Sequence, residues 1–191
     1  MNIRHQVFKH DRKFAAGFTA IELMVVVSVA AILAAMAAPS FTPVIENWRV
    51  HQSVDELRST LEFARSEAIK RSGGVVIQKI SNKANGCSTA SGIRDWDCGW
   101  IVCRDVNDSG TCNPTEPVLR RVETSAKVHV SRTGGGASIR MNRWGLVDGP
   151  LPGFNLVPLN KSVSHASTRG VCMSLGGRIR VIPQEAIPCD S

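Results

Sequence analysis

The sequence lacks the arrangements of residues that zinc or phosphate chemistry requires. No two of its six cysteines are separated by two residues, and no histidine lies near them at ligand spacing, so a zinc site is disfavoured. The glycine run at 133–136 has no accompanying lysine and no strand-to-helix setting, so it predicts a hairpin turn rather than a phosphate loop. We therefore expect no bound metal and no cofactor.

Groupings of residues that indicate catalysis are also missing. The histidines are scattered, and Ser164 beside His165 is a neighbour in sequence, which says nothing about geometry in the fold. Two histidines fall within the first 17 residues, and the other three are His51, His129 and His165. The sequence therefore favours a structural protein over an enzyme, and we predict no catalytic residues.

What the sequence has instead is a short basic leader followed directly by an apolar run. The run begins at Phe18, and the only charge within it is that of Glu22. A charge in a membrane span costs roughly 2.5–3.5 kcal/mol near the bilayer centre, so it normally marks a function. An ordinary secretory signal would be cut after the apolar stretch, near 35–40, and a plain N-terminal anchor needs only about 20 apolar residues. Neither alternative explains a Gly17–Phe18 junction so close to a carboxylate.

Residues 17–22, Gly-Phe-Thr-Ala-Ile-Glu, resemble the processing site of type IV prepilins and of the pseudopilins of type II secretion. The resemblance implies that a prepilin peptidase cuts between Gly17 and Phe18 and that Phe18 is then N-methylated. It also implies that Glu22 is the filament-assembly residue, and Pro39 falls where pilin helices commonly carry a proline. The implied partners are other pilins, the peptidase and an inner-membrane assembly platform.

The position of Glu22 predicts how processing is coupled to assembly. An ionised carboxylate in hydrocarbon needs a cationic partner, and the amine freed at Phe18 of an adjacent subunit would supply one. The alternative is that Glu22 merely reaches the membrane interface. Because the basic leader stays in the cytoplasm, we predict a single-pass protein of the inner membrane with a periplasmic C-terminal domain, which later enters a pilus or pseudopilus.

The helical pattern continues beyond the apolar run. Apolar residues recur at steps of four and three, which predicts an amphipathic helix; they are Val50, Val54, Leu57, Leu61, Ala64 and Ala68. The glycines of 72–74 predict its end. We expect one helix over 18–71, roughly 80 Å long at 1.5 Å per residue, loosened or kinked at Pro39 and Pro43.

Short β-branched runs separated by turn residues predict strands after residue 74. The runs lie at 75–80, 100–104, 118–122, 127–131, 138–142, 154–157, 170–174 and 178–182. We predict an α+β fold in which the long N-terminal helix packs on antiparallel sheet, in one layer or split in two. The expected organisation is a leader at 1–17, a transmembrane segment at 18–39, a periplasmic continuation of the helix at 40–72 and a β-rich domain at 73–191.

Four segments of the β-rich domain resemble the minor-pilin group called GspH/FimT. They are 97–107, with its Gly-Trp-strand-Asp-x-Asn pattern, Glu-x-Val-Leu-Arg at 116–120, strand-Asn-x-x-Gly at 139–145 and Gly-Arg-x-Arg at 177–180. The resemblance implies a structural subunit that initiates assembly of a type IV pilus or a type II secretion pseudopilus. It does not separate the two machines, although the basic C-terminal segment and the cysteines favour the pilus.

Six cysteines in an exported chain indicate disulfide bonds. Fifteen pairings are formally possible, and the sequence does not choose among them. Cys103 stands where many GspH/FimT relatives carry an aromatic or aliphatic residue, so the resemblance does not supply the pairing either. The working hypothesis is that neighbours pair: Cys87 with Cys98, Cys103 with Cys112, and Cys172 with Cys189.

The arginines at 178 and 180 suggest a second function. Residues i and i+2 share a face of a strand, so Arg178 and Arg180 should point the same way while Ile179 packs inward, and two guanidinium groups suit successive phosphates. FimT-type proteins with this segment are associated with DNA capture, so the resemblance implies a pilus-associated DNA receptor as the alternative function. A solvated strand face, or pairing with acids of neighbouring pilins, would also explain the two arginines. Candidate helpers are Arg140, Arg143 and Arg169.

Two further patterns carry alternatives. Trp96, Trp100 and Trp144 are expected in the core or at its rim rather than as platforms for bases. Asp105, Asn107, Ser109, Gly110 and Glu116 have the spacing of an EF-hand calcium loop. Strands rather than helices flank that loop, and the same residue types favour a hairpin turn, so calcium is kept only as the alternative.

Overall fold

The computed structural model describes residues 17–37, 41–84, 86–124 and 127–189. The chain divides into two units between Phe41 and Thr42. The expected leader and Pro39 lie outside the described residues.

The first unit contains helix α1, Ala20–Ala37. Thr19 caps its start, since its Oγ1 accepts a hydrogen bond from the Glu22 amide at 3.2 Å. The apolar side chains of α1 are exposed, and those of Ile21, Met24 and Met36 are more than 70 % exposed. Within the described residues, no helix has both the length and the apolar character needed to cross a membrane.

The second unit begins with helix α2, Thr42–Lys70. All six apolar residues of the predicted stripe are buried in α2, as the periodicity indicates. The helix ends as predicted at a glycine: Gly73 has a φ of 103°, and its amide donates to the Ala68 carbonyl at 2.8 Å. Pro43 was expected to disturb a continuous helix, but it lies in the first turn of α2, where its missing N–H costs no helical hydrogen bond.

Two four-stranded antiparallel sheets follow α2. The first sheet has the order β3-β2-β1-β5, and the second has the order β4-β6-β7-β8. The strands are β1 Val75–Lys79, β2 Trp100–Arg104, β3 Val118–Val122, β4 Val128–Arg132, β5 Ser138–Met141, β6 Gly153–Pro158, β7 Arg169–Met173 and β8 Ile179–Pro183. Each coincides with a predicted run to within one residue at either end, and the sheet is split in two rather than continuous.

One core joins α2 to both sheets. Trp96, Trp100 and Phe154 are fully buried, and the Trp96 and Phe154 rings meet edge to face at 5.2 Å between centroids. The Trp100 indole N–H donates to Thr60 Oγ1 of α2 at 2.9 Å, so its one polar atom is satisfied. Trp96 and Trp100 therefore lie in the core, as expected.

The neighbouring cysteines pair. Cys87 bonds to Cys98, Cys103 to Cys112 and Cys172 to Cys189, with Cα atoms 5.5–5.7 Å apart. This is the pairing of the working hypothesis, and it is possible because each pair lies on adjacent backbone segments. The second bridge joins β2 to the β2–β3 connection, and the third joins β7 to the segment that follows β8.

The glycine run at 133–136 is not a hairpin turn as predicted. It leads from β4 in the second sheet to β5 in the first sheet. The buried side chain of Arg132 holds this crossover by donating to the carbonyls of Gly136 and Ser138 at 2.9 and 2.7 Å. Burial lowers the pKa of Arg132 to about 10, which leaves it charged at neutral pH.

Candidate functional site

Gly17, Phe18 and Glu22 lie at the start of the first unit. Gly17 and Phe18 precede α1 in non-helical conformation, and the Phe18 side chain is 81 % exposed. Glu22 is in the first turn of α1, where a negative charge interacts favourably with the helix dipole. Its carboxylate has no ion-pair partner within the described part of the chain.

Arg178 and Arg180 lie at the open edge of the second sheet. Arg180 is in β8 opposite Cys172 of β7, and Arg178 immediately precedes β8. Both side chains are exposed while Ile179 is half-buried against the core, which is the predicted alternation. Among the described residues, neither guanidinium group forms a hydrogen bond or an ion pair.

The conformation of this hairpin depends on Gly177 and on Arg65 of α2. Gly177 has a φ of 77°, and its carbonyl accepts a hydrogen bond from Arg65 Nη1 at 2.7 Å. A Cβ atom at position 177 would lie 2.8 Å from Arg65 Cζ, so a larger residue would displace that side chain. The helix thus fixes the hairpin tip from which Arg178 projects.

Two of the three candidate helpers are engaged within the protein. Arg140, in β5, pairs with Asp108. Arg169 donates to the carbonyls of Ala166 and Thr168 at 2.8 and 2.7 Å. Arg143 is exposed and makes no ion pair with any described residue. It therefore remains available for an external anion, unlike the other two.

The position of Trp144 differs from the prediction made from the sequence. It was expected in the core or at its rim, but its side chain is 71 % exposed. It occupies the tip of a turn closed by Asn142, whose Oδ1 accepts from the amides of Trp144 and Leu146 at 3.0 and 3.1 Å. The Asn-x-x-Gly pattern at 142–145 is a signal for such a turn, and a turn tip is a position from which a side chain faces solvent.

The calcium alternative is not supported by the contacts of the 105–116 loop. Asp105 accepts from the amides of Ser109 and Gly110 at 2.9 and 2.8 Å. Glu116 accepts from Asn113 and Val106 at 2.9 and 2.8 Å, and these backbone donors hold its pKa below the usual value. The carboxylates thus close the β2–β3 connection, and the described residues contain no cluster of three or more potential metal ligands among histidine, cysteine, aspartate and glutamate.

The buried carboxylate of Asp97 and the half-buried imidazole of His129 form a pair that the sequence did not reveal. Asp97 Oδ2 lies 2.8 Å from His129 Nδ1, and Oδ1 accepts from the Val130 amide at 2.7 Å. The hydrogen bond to Asp97 raises the pKa of His129. Within the described residues, no hydroxyl or thiol bonds to His129, and Ser164 bonds to Ser162 rather than to His165. The pair therefore links Asp97 to β4 without the geometry of a catalytic triad.

Comparison with known proteins agrees with this architecture. A family model described as Type II transport protein GspH matches residues 53–177. Two crystal structures of the type IV minor pilin FimU of Pseudomonas aeruginosa (strain PAO1) match at 21 % identity. The first match has a TM-score of 0.54 and covers 72 % of this chain and 96 % of the FimU chain. The second match has a TM-score of 0.57 and covers 76 % of this chain and 97 % of the FimU chain. No curated protein matches the chain in a sequence search.

Proposed function

Because the chain belongs to the GspH family of type II transport proteins and has the pilin fold, we propose that it is a minor pilin or pseudopilin that initiates assembly of a filament. The observation that carries the proposal is the arrangement of residues 17–22 at the start of the first unit. Accessible Gly17 and Phe18 precede α1, and Glu22 lies in its first turn without a cationic partner among the described residues. The type IV pilus is favoured over the secretion pseudopilus by the basic hairpin and the three disulfides.

In the proposed mechanism, residues 18–39, a segment longer than α1 by itself, cross the inner membrane until the subunit is extracted into the filament. The exposed apolar side chains of α1 support an apolar environment for this segment. Prepilin peptidase cuts after Gly17, Phe18 is methylated, and the new amine pairs with Glu22 of an adjacent subunit. The attraction between the two charges offsets the desolvation penalty that an isolated carboxylate pays, so the assembled state is favoured only after processing.

Replacing Glu22 by Ala tests this mechanism. We expect the variant to remain membrane-bound and processed, but to be strongly depleted from sheared filaments, as measured by quantitative immunoblotting of filament and membrane fractions. The matched control is Glu185→Ala, which removes an exposed glutamate of the second unit. Wild-type incorporation of Glu22→Ala would contradict the pairing.

Mass spectrometry of the native membrane form tests processing separately. The proposal expects an N-terminal methylated Phe18. A chain that retains residues 1–17, or one that is cut near position 38, would overturn the proposal that the first unit is processed as a prepilin.

The second candidate function is binding of DNA at the β7–β8 hairpin. It is favoured by the exposure of Arg178 and Arg180 on an open sheet edge without carboxylate partners among the described residues. Such a pair can neutralise phosphates without reading bases. Binding of this kind weakens steeply as salt displaces the interaction.

A gel-shift titration of the full chain in detergent tests this function. For Arg178→Ala/Arg180→Ala, we expect weaker duplex binding and a salt slope smaller by about 1.8, since two phosphate contacts are lost. The control is Arg58→Ala/Arg121→Ala, which removes the same charge from two arginines that already pair with Glu62 and Glu123. Equal binding by both double variants, or no binding by the wild type at low salt, would refute the assignment.

A further inference from the structure

Trp144 is presented to solvent by a rigid turn. The Asn142 side chain accepts from two amides of the turn, and the Gly145 amide donates to the Asn142 carbonyl at 2.9 Å. Gly145 itself has a φ of 69°, which suits glycine at the last position of the turn. An indole 71 % exposed on a fixed backbone is a preformed flat apolar surface.

A single side chain of α2 joins this turn to the tip of the β7–β8 hairpin. A Cβ atom at Gly145 would lie 2.6 Å from Arg65 Cγ, and one at Gly177 would lie 2.8 Å from Arg65 Cζ. Arg65 therefore packs along both turns and hydrogen-bonds to the Gly177 carbonyl. Trp144 and Arg178, the exposed residues next to these two glycines, therefore lie on adjacent turns.

The arginines at these two turns are free of ion pairs within the described part of the chain. Among the described residues, Arg65, Arg143 and Arg178 form no ion pair with a carboxylate. Glu67, two residues after Arg65 in α2, forms ion pairs with Lys70 and Arg71 at 2.9 and 2.8 Å instead. Asp148 lines the same cleft as Arg143 but makes no ion pair with it.

We propose that the 142–145 turn and the 174–178 hairpin tip form a contact site for single-stranded nucleic acid, with a base stacked on Trp144. The inference rests on the proposed DNA-binding function and specifies the form of its ligand. An aromatic face flanked by guanidinium groups matches the chemistry of a strand whose bases are unstacked and whose phosphates lie alongside. A duplex offers phosphates but keeps its base faces inside the stack, so Trp144 would contribute little to duplex binding.

The site is tested by fluorescence anisotropy of the full chain in detergent at low salt, with a labelled oligothymidylate and a labelled duplex of the same length. We expect Trp144→Leu to weaken oligothymidylate binding about 5- to 100-fold and duplex binding less than about twofold. Trp144→Phe should retain most of the affinity, because it keeps an aromatic face. The control is Trp48→Leu, which removes another exposed indole, 64 % exposed on α2. Matching thermal unfolding of the variants shows that they fold.

The outcomes separate this inference from the function on which it rests. If Trp144→Leu binds the oligothymidylate like the wild type while Arg178→Ala/Arg180→Ala binds weakly, DNA binding stands and the stacking site is refuted. If the wild type binds neither probe, both fail. If Trp144→Leu loses only co-purification with other pilins, the exposed Trp144, Leu175 and Ile69 form a protein contact instead, and the inference is overturned.

Discussion

Two charged segments of the second unit, the 105–116 loop and the 174–180 hairpin, use their charges in opposite ways. In the loop, the carboxylates of Asp105 and Glu116 accept hydrogen bonds from backbone amides and are buried. In the hairpin, Arg178 and Arg180 are exposed and, among the described residues, unpaired. Residue spacing alone therefore does not identify a ligand site, because the loop has the spacing of a calcium site and its carboxylate oxygens accept hydrogen bonds from its own backbone.

The largest effect on stability is expected in the loop. Asp105→Ala should lower the free energy of unfolding by about 1–3 kcal/mol, because the amides of Ser109 and Gly110 lose their acceptors. Chemical denaturation in detergent measures the change. Asp55→Ala, which removes an exposed carboxylate from α2, is the control and should change stability by less than about 0.5 kcal/mol. Equal effects of the two variants would mean that the loop carboxylate is dispensable.

A somewhat smaller effect is expected where helix and hairpin meet. Gly177→Ala should cost about 1–2 kcal/mol, because alanine is strained at a φ of 77° and its Cβ would displace Arg65. Gly176→Ala provides a matched control one residue away, since nothing lies within 4 Å of the Cβ position there. Thermal unfolding of the two variants should therefore differ. If both melt alike, Arg65 does not determine the conformation of the tip.

The loop should also respond to acid in a way that the hairpin does not. The pKa of Glu116 is lowered in the folded state, mainly by the amide of Asn113, so the stabilisation is present above the unfolded pKa near 4.5 and is lost as pH falls through the folded pKa. Glu116→Gln should flatten the acid limb of the curve of unfolding free energy against pH. Glu185→Gln, at an exposed site, should leave that limb unchanged. An unchanged acid limb in Glu116→Gln would show that other carboxylates govern it.

These elements also differ in how far the sequence could predict them. The strands follow from β-branched runs and the buried stripe of α2 from its period, since both patterns are local. The alternation of Arg178, Ile179 and Arg180 follows from strand geometry in the same way. The prediction of a hairpin turn at 133–136 was wrong, because a glycine run indicates a change of chain direction but not which two strands it connects. The engagement of Arg140 and Arg169 and the exposure of Trp144 depend on contacts between distant segments, which a single sequence does not display.

The smallest effect on stability is expected for the hairpin arginines, in contrast to the loop carboxylates. Arg178→Ala/Arg180→Ala should change the free energy of unfolding by less than about 0.5 kcal/mol, because neither side chain has a protein partner among the described residues. If removal of a side chain leaves the stability of the fold unchanged but weakens nucleic-acid binding, that side chain has a role in binding and not in folding. Denaturation curves and binding titrations of the same preparation measure both quantities. A loss of stability comparable to that of Asp105→Ala would make the arginines structural, and the contrast between loop and hairpin would then disappear.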